Sequence, residues 1–506
     1  MEPAAHRAIV PPRGKTGVLR YHGPMKRTTI LRPLAAIAPA LGLAFVLCTS
    51  IGAAAPARAD AVDDYLVKER AARQIPGMAV AIVRQGRIER TLVYGSANLE
   101  TNTPVTADSI FPIASTDKAI TASGVMRAQE LGKLRLDDPI QKYVDVPLPG
   151  VTLAMLLSHT SGIPDMAPAL AQRYGSHGFQ HYTTAELLDA VRGAALEAGP
   201  GEQYSYSDSG LLLAQLATQQ AVGRPWYEFM QDEIFHPAGM LHVVNFDPHA
   251  IIPNRVSAYT FDEQQRLIRD DRTDVEFGEL YNDIGMTVGD FAHFVIMLEG
   301  RGPVSAASVA RMTTQTLLSD GTAAHEIYSF SGYGLGTGLD DLLGHPMWLH
   351  TGHSGVAWIR VPDLDIAVVV FTNLEHVKGS DAAGIAIGVA GLLEPKLSLR
   401  DLPPLPGKLP PAAQSLRQEY ELFYAGAPDV RRYSHHARLT IWQARDTFEG
   451  RRPRLGALKD WQLVRHAPTD GQDSYLFRAT HEHGEVYIRY SFDRDGRIDR
   501  VVWWHL

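Results

Sequence analysis

The stretch "GMAVAIVRQGRIERTLVYG", residues 77–95, decides how this chain folds. Its two halves are rich in β-branched and aromatic residues, and Gln85-Gly86 between them suits a tight turn, so the stretch predicts a hairpin. A second strand pair, "GVAWIRVPDLDIAVVVFTN" at 355–373, turns around Pro362-Asp363 far downstream. Between the two pairs the pattern is mostly helical, as in "KAITASGVMRAQELGKL" and "GLLLAQLATQQAVG". Strands at both ends with helices between them predict one antiparallel sheet built from remote segments, an α+β fold.

The chain has 506 residues, 45% hydrophobic and 21% charged, enough for two or three folding units of a soluble protein. The first 59 residues have a different texture, with eight Lys or Arg against one acid, Glu2. From Met25, "MKRTTILR", the apolar run "PLAAIAPALGLAFVL" and the small-residue end "APARA" follow the order of a secretory signal peptide. Cleavage is expected after Ala59, which makes the protein periplasmic or secreted. The apolar run is short for a membrane span, which takes ~20 residues, and it contains prolines. The single cysteine, Cys48, lies in this leader, so the exported chain would have no disulfide and no thiolate metal site. The whole chain carries a net charge of −8 and the part after the leader is more acidic still, which argues against nucleic-acid binding.

Three segments follow the leader. Residues 60–398 hold the predicted sheet and helices. Residues 399–411, "LRDLPPLPGKLPP", are proline-rich and predict a linker. Residues 412–506 predict a second, small α+β domain. In it Ala413, Leu416, Tyr420 and Phe423 share a helix face, and strands follow, the last two joined at Asp495-Gly496.

In "FPIASTDKAIT", 111–121, Ser115 stands three positions before Lys118, and residues so spaced share a helix face. A buried amine loses proton affinity through desolvation and can then activate a serine hydroxyl, while the helix N-terminus favours the developing negative charge. Alone, the pair is as readily a helix start with a solvated lysine. Lys118 is nonetheless the only lysine with a serine three residues before it. Two further elements join it. "GEQYSYSDSG" carries Tyr206 and Asp208 ahead of an apolar helix, and "WLHTGHSGVAW" carries His350-Thr351-Gly352 at the end of a strand run.

In this order and rough spacing the three elements resemble the motifs of the serine β-lactamase and penicillin-binding superfamily. The branch is that of class C β-lactamases and the related esterases and D-Ala-D-Ala carboxypeptidases. "LLSHTSGIPD", "YEFMQDEIFHPAGM", "IGMTVGDFAHF" and "VVVFTN" are similar to that family's connecting text, and the likeness covers about residues 63–375. It implies a three-layer α/β/α sandwich with an antiparallel sheet and a helical subdomain. By the same resemblance Ser115 is the nucleophile, Lys118 and Tyr206 share the proton work, and His350 stands where lysine is common. The backbone N–H groups of Ser115 and His353 form the oxyanion hole, and Asp208, Thr351 and Gly352 meet the substrate. No cofactor and no metal is implied.

Asp208 departs from the family, where asparagine is usual. A carboxylate only accepts hydrogen bonds, repels acidic substrates and favours a charged Lys118. The expectation is therefore an exported serine hydrolase of esters or uncharged amides, with a non-catalytic binding pocket or envelope binding protein as the alternative. Weaker signals are read as structural. Lys15-Thr16-Gly17 lies ahead of the leader, His159 is a framework residue, and Ser354 lacks the glycine that a nucleophile elbow requires at 356. His481-Glu482-His483, His435-His436 and the arginines at 451, 452 and 454 are expected in solvated turns or surface. The C-terminal domain faintly resembles a nuclear transport factor 2-like cone, with a small β-barrel as the alternative.

Overall fold

The computed structural model describes residues 61–166, 180–181, 183–246, 250–270, 275–276, 284–326, 330–376, 380–438, 441, 453–467 and 472–506. The leader, Lys15-Thr16-Gly17, Arg451 and Arg452 lie outside them.

The hairpin forms as its sequence predicts, with strands Gly77–Arg84 and Arg87–Asn98 joined at Gln85-Gly86. The downstream pair forms strands Val356–Val361 and Ile366–Thr372. Met78 pairs with Thr372 and Arg84 with Ile366, so the two remote hairpins close antiparallel at the middle of one sheet. The sheet has eight strands. In spatial order they are Gly332–Tyr333, Gly338–Leu342, His345–Gly352, Val356–Val361, Ile366–Thr372, Gly77–Arg84, Arg87–Asn98 and Thr103–Pro104.

Every residue of Ile366–Thr372 is buried, so this strand is covered on both faces. Strand periodicity sorts its side chains. Ala367, Val369 and Phe371 join Ala79, Ala81 and Val83 in a cluster with Phe291, Phe294 and Trp358 on the helical side. Ile366, Val368 and Val370 join Met78, Val80 and Ile82 against the helices Ala61–Ala72 and Ala382–Leu393. This is the three-layer α/β/α sandwich. The helical layer holds Asp117–Glu130 against Asp208–Val222, tied by the Gln215 amide donating to the Thr121 hydroxyl at 3.1 Å.

At the C-terminus a helix, Leu416–Tyr424, packs on a four-stranded antiparallel meander of Leu458–His466, Ser474–His481, Gly484–Phe492 and Ile498–His505. One face of that sheet keeps its own cluster with Tyr420, Phe423, Phe477, Tyr490 and Trp503. The alternate residues Leu476, Tyr487, Val502 and Trp504 enter the cluster behind the large sheet. Among the described residues no helix is long and apolar enough to cross a membrane.

Three surface readings change. His481 is not in a solvated turn: its Nε2 lies 2.7 Å from the Tyr420 hydroxyl and its Nδ1 lies 3.0 Å from the Gly456 carbonyl, leaving only Glu482-His483 exposed. Arg454 lies over the Phe261 ring at 4.0 Å and donates to the Arg73 carbonyl. His436 is half-buried with its ring 5.2 Å from that of His325. In each case a partner remote in the chain removes the residue from water.

Gly336, at φ +62°, lets one loop seat directly on the helix of Lys118. A Cβ there would stand 2.2 Å from the Lys118 carbonyl oxygen. Gly336→Ala is expected to cost about 2 kcal/mol or more, through left-handed strain together with a backbone clash, as a drop in the urea midpoint at unchanged m-value.

Candidate active site

Ser115 sits in a 3₁₀ turn, Ala114–Thr116, that runs straight into the helix Asp117–Glu130. Ala114, just before it, has φ +44°, a conformation an L residue adopts only at a cost of roughly 1–3 kcal/mol. The surroundings enforce it: a Cβ on Gly352 would lie 2.7 Å from the Ile113 carbonyl and 3.1 Å from the Ala114 Cβ. Glycine at this position therefore lets the strand His345–Gly352 lie against the turn that carries Ser115. Ser354, as expected, is structural, its hydroxyl donating to the Pro112 carbonyl at 2.8 Å.

Tyr206 and Asp208 come from the next segment. The Ser207 hydroxyl caps the helix Asp208–Val222 by accepting from the Gly210 N–H, and the Ser207 N–H donates to His159 Nδ1 at 3.2 Å. A ring nitrogen that accepts carries no proton, so neutral His159 is protonated on Nε2. Its ring stacks on Tyr206 at 4.3 Å and forms a wall for the phenol. Burial and the Lys118 ammonium drive its pKa down to about 3. The framework role expected for His159 thus has a specific object, the orientation of Tyr206.

The motifs meet around Lys118. Its Nζ lies 2.6 Å from Asp208 Oδ1 and 3.3 Å from Asp117 Oδ1, and the lysine is 3% exposed. Desolvation alone would lower its pKa, as the sequence predicts, but the two carboxylates outweigh it and the ammonium is held well above the usual lysine range. Lys118 is therefore held as an ammonium, in the sense expected of a carboxylate at 208 rather than of burial alone. Burial also works against the charge on Asp208, yet contact with Lys118 holds its carboxyl below the ordinary value. Burial pushes Asp117 the other way, up to about 6, opposed by Lys118 and reinforced by Asp208.

The half-buried Ser115 hydroxyl is near enough to the Tyr206 phenol to oppose the rise in its pKa, and Lys118 Nζ lies 5.5 Å from the centre of the Tyr206 ring. Burial first, then the negative charge of Asp208, keep that phenol well above its usual pKa, so it is protonated at neutral pH.

His350 lies beside these groups with both ring nitrogens engaged. Its Nδ1 lies 2.8 Å from the Thr351 carbonyl, so Nδ1 carries the proton, and its Nε2 accepts from the Tyr333 hydroxyl at 3.1 Å. Both nitrogens are engaged away from Tyr206. Burial and Lys118 hold the ring neutral, with a pKa of about 3. Thr351 is half-buried and Gly352 buried, and His353 is exposed in the turn that follows, its carbonyl accepting from the His376 N–H at 2.8 Å.

Asp117 and Tyr333 escaped the sequence reading. Asp117 stood inside the Ser-x-x-Lys element and could have been weighed as a second carboxylate. Tyr333 carries no local signal, because only sheet pairing brings it to His350.

A serine, a phenol and a buried ammonium gathered beside an antiparallel sheet are the arrangement of the serine hydrolases of the penicillin-recognising class. The family model described as Beta-lactamase matches residues 62–391, and the chain belongs to that family. It is 27% identical over 337 residues to "Penicillin-binding protein 4" of Amycolatopsis lactamdurans, 60% of this chain and 82% of that one. It is 30% identical over 199 residues to "Esterase EstB" of Burkholderia gladioli, 36% of this chain and half of that one. Over 171 residues it is 29% identical to "Penicillin-binding protein 4*" of Bacillus subtilis, 33% of this chain and only 37% of that relative. Among solved structures, the octameric penicillin-binding protein homologue from Pyrococcus abyssi superposes with a TM-score of 0.59 at 20% identity. That superposition covers 86% of this chain and 96% of that one. A likeness at this identity speaks for the fold.

Asp117 makes stability depend on pH. Its carboxyl binds a proton more tightly folded than unfolded, so its contribution to stability falls as pH rises from about 4 through about 6. The full shift corresponds to on the order of 3 kcal/mol. Urea unfolding of the wild type and Asp117→Asn at pH 4, 5, 6 and 7 isolates this contribution: the stability of the variant relative to the wild type should rise across that range, while His159 and His350, held neutral in the fold, add a slope of the opposite sign to both proteins.

Proposed function

We propose that this protein is an exported serine hydrolase that cleaves esters or uncharged amides through an acyl-enzyme. The observation that carries the reading is the gathering of Ser115 and the Tyr206 phenol beside one buried ammonium, 5.5 Å from the Tyr206 ring centre and 2.6 Å from Asp208. Export rests on the leader of residues 1–59.

In the first step Ser115 Oγ attacks the carbonyl carbon, and its proton passes to Tyr206 as phenolate. The carbonyl electrons move to the oxygen, where the N–H groups of Ser115 and His353 receive the charge. Each such donor contributes roughly 3 kcal/mol in comparable sites. Collapse expels the alcohol or amine, which takes the proton from Tyr206, and water then releases the acid by the same path. Lys118 does not accept the proton. It is the fixed positive charge that makes a phenolate accessible. Asp208 lies where a substrate's flank would pass, and its carboxylate disfavours acidic leaving groups and acidic side chains.

A second reading, a pocket that binds without turnover, is favoured by one observation: two carboxylates hold Lys118 while Tyr206 stays protonated. A fluorophosphonate probe separates the two. Covalent labelling of the wild type, abolished in Ser115→Ala, supports the hydrolase, and an unlabelled wild type across pH 6–10 supports the binding protein.

The same electrostatics set the pH profile and the specificity. Asp208 raises the pKa values of both Tyr206 and Lys118. Asp208→Asn is therefore expected to move the rising limb of kcat/KM to lower pH by roughly one unit, about tenfold in rate at a fixed pH on that limb. On a panel of p-nitrophenyl esters, nitrocefin and D-alanyl peptides, neutral esters should be the best substrates. Dominant hydrolysis of the D-alanyl carboxylates would overturn the argument from Asp208.

A further inference from the structure

The edge strands that carry Tyr333 are gripped from the far end of the chain. Arg489 lies in the middle of the C-terminal sheet, on the strand Gly484–Phe492, yet its guanidinium bonds the large sheet. Its Nη2 donates to Asp340 Oδ1 and, at 2.5 Å, to the Ser331 hydroxyl, while its Nη1 donates to the Asp341 carbonyl at 2.6 Å. Ser331 in turn donates to the same Asp340 oxygen at 2.5 Å. Arg489, Asp340 and Ser331 are 6%, 8% and 2% exposed, and the guanidinium lies 5.3 Å from the Trp504 ring centre. Removing one member of a buried network strands the others, so its geometry is tightly held.

What this network holds is the wall of the candidate site. Ser331 is flanked by Phe330, whose ring centre lies 5.1 Å from that of His350, and leads through Gly332 to Tyr333, which bonds His350 Nε2. Asp340 lies on the strand Gly338–Leu342, which pairs on one side with Gly332–Tyr333 and on the other with His345–Gly352. The grip is therefore on both sides of the phenol that orients His350.

Attachment of the C-terminal sheet does not need this cation. The Arg73 guanidinium donates to the His505 carbonyl at 2.9 Å, the His505 N–H donates to Asp381, and Tyr487, Val502, Trp504 and Leu506 are buried in the shared cluster. The Arg73 and Asp381 bonds are made at the ends of the helices behind the sheet, away from its edge strands.

We propose that Arg489 is a positioning residue for the candidate active site: by clamping Ser331 and Asp340 it fixes Phe330 and Tyr333, and through Tyr333 the ring of His350. This rests on the reading of Ser115 as the nucleophile. The C-terminal domain is then a working part of the hydrolase, supplying the brace for a wall that the large sheet leaves at its edge.

The test compares full-length wild type with Arg489→Met, Arg489→Lys and Ser331→Ala, with Ser115→Ala as the unlabelled control. The readouts are fluorophosphonate labelling rate, kcat and KM for a p-nitrophenyl ester, and the ¹⁵N resonance of His350 Nε2. Arg489→Met is expected to lower kcat and labelling at least tenfold with KM changed less than twofold, and to shift the His350 resonance. Arg489→Lys should recover part of the rate. Ser331→Ala, which leaves the ion pair and the fold in place, should lose about threefold and move the same resonance. Variants that melt earlier yet label at the wild-type rate in their folded fraction, with His350 unmoved, would reduce Arg489 to an adhesive contact and overturn the proposal. If the wild type itself failed to label, the nucleophile reading would fall, and the His350 resonance would still decide whether Arg489 positions the ring.

Discussion

One buried ammonium organises this site. Lys118 is nearly inaccessible to water, and burying an isolated cation costs several kcal/mol, so it must be met by counter-charge. Asp208 meets it at 2.6 Å and Asp117 at 3.3 Å. Asp208 opens one helix and Lys118 lies in the first turn of another, so satisfying the cation brings the two helix starts together. Tyr206, two residues before Asp208, arrives with it and reaches Ser115. The ion pair is thus both an electrostatic necessity and the device that brings Ser115 and the phenol together.

The same pair sets the chemistry. With an asparagine at 208 the lysine would keep only Asp117 as counter-charge, and its proton affinity would move downward. A carboxylate reverses that sign, and the proton traffic passes to Tyr206. A phenol kept protonated by burial and by a neighbouring negative charge is a reluctant base.

Around this centre the packing is unforgiving. Gly352, at a strand end, and Gly336, in a loop, let their segments lie against the backbone of Ile113 and Lys118, and neither position has room for a Cβ. His159 stacks beneath Tyr206, and Tyr333 turns His350 away from it. The wall so formed continues through Ser331 and Asp340 to Arg489 in the C-terminal sheet. Catalytic geometry in this chain therefore draws on segments from residue 111 to residue 489.

The sequence by itself determined the antiparallel sheet, through two hairpins whose alternation and turn residues are local properties. It likewise marked Ser115, Lys118, Tyr206 and Asp208, because a helix face and a helix cap are set by spacings of two or three residues. It could not give the protonation state of Lys118, since desolvation lowers and carboxylates raise the same pKa, and only distances decide between them. Nor could it foresee that His350 bonds Tyr333, that His481 and Arg454 leave solvent, or that Arg489 braces the site. Those outcomes depend on pairings between residues remote in the chain, whose strength comes from burial, and burial is a property of the assembled fold rather than of any segment.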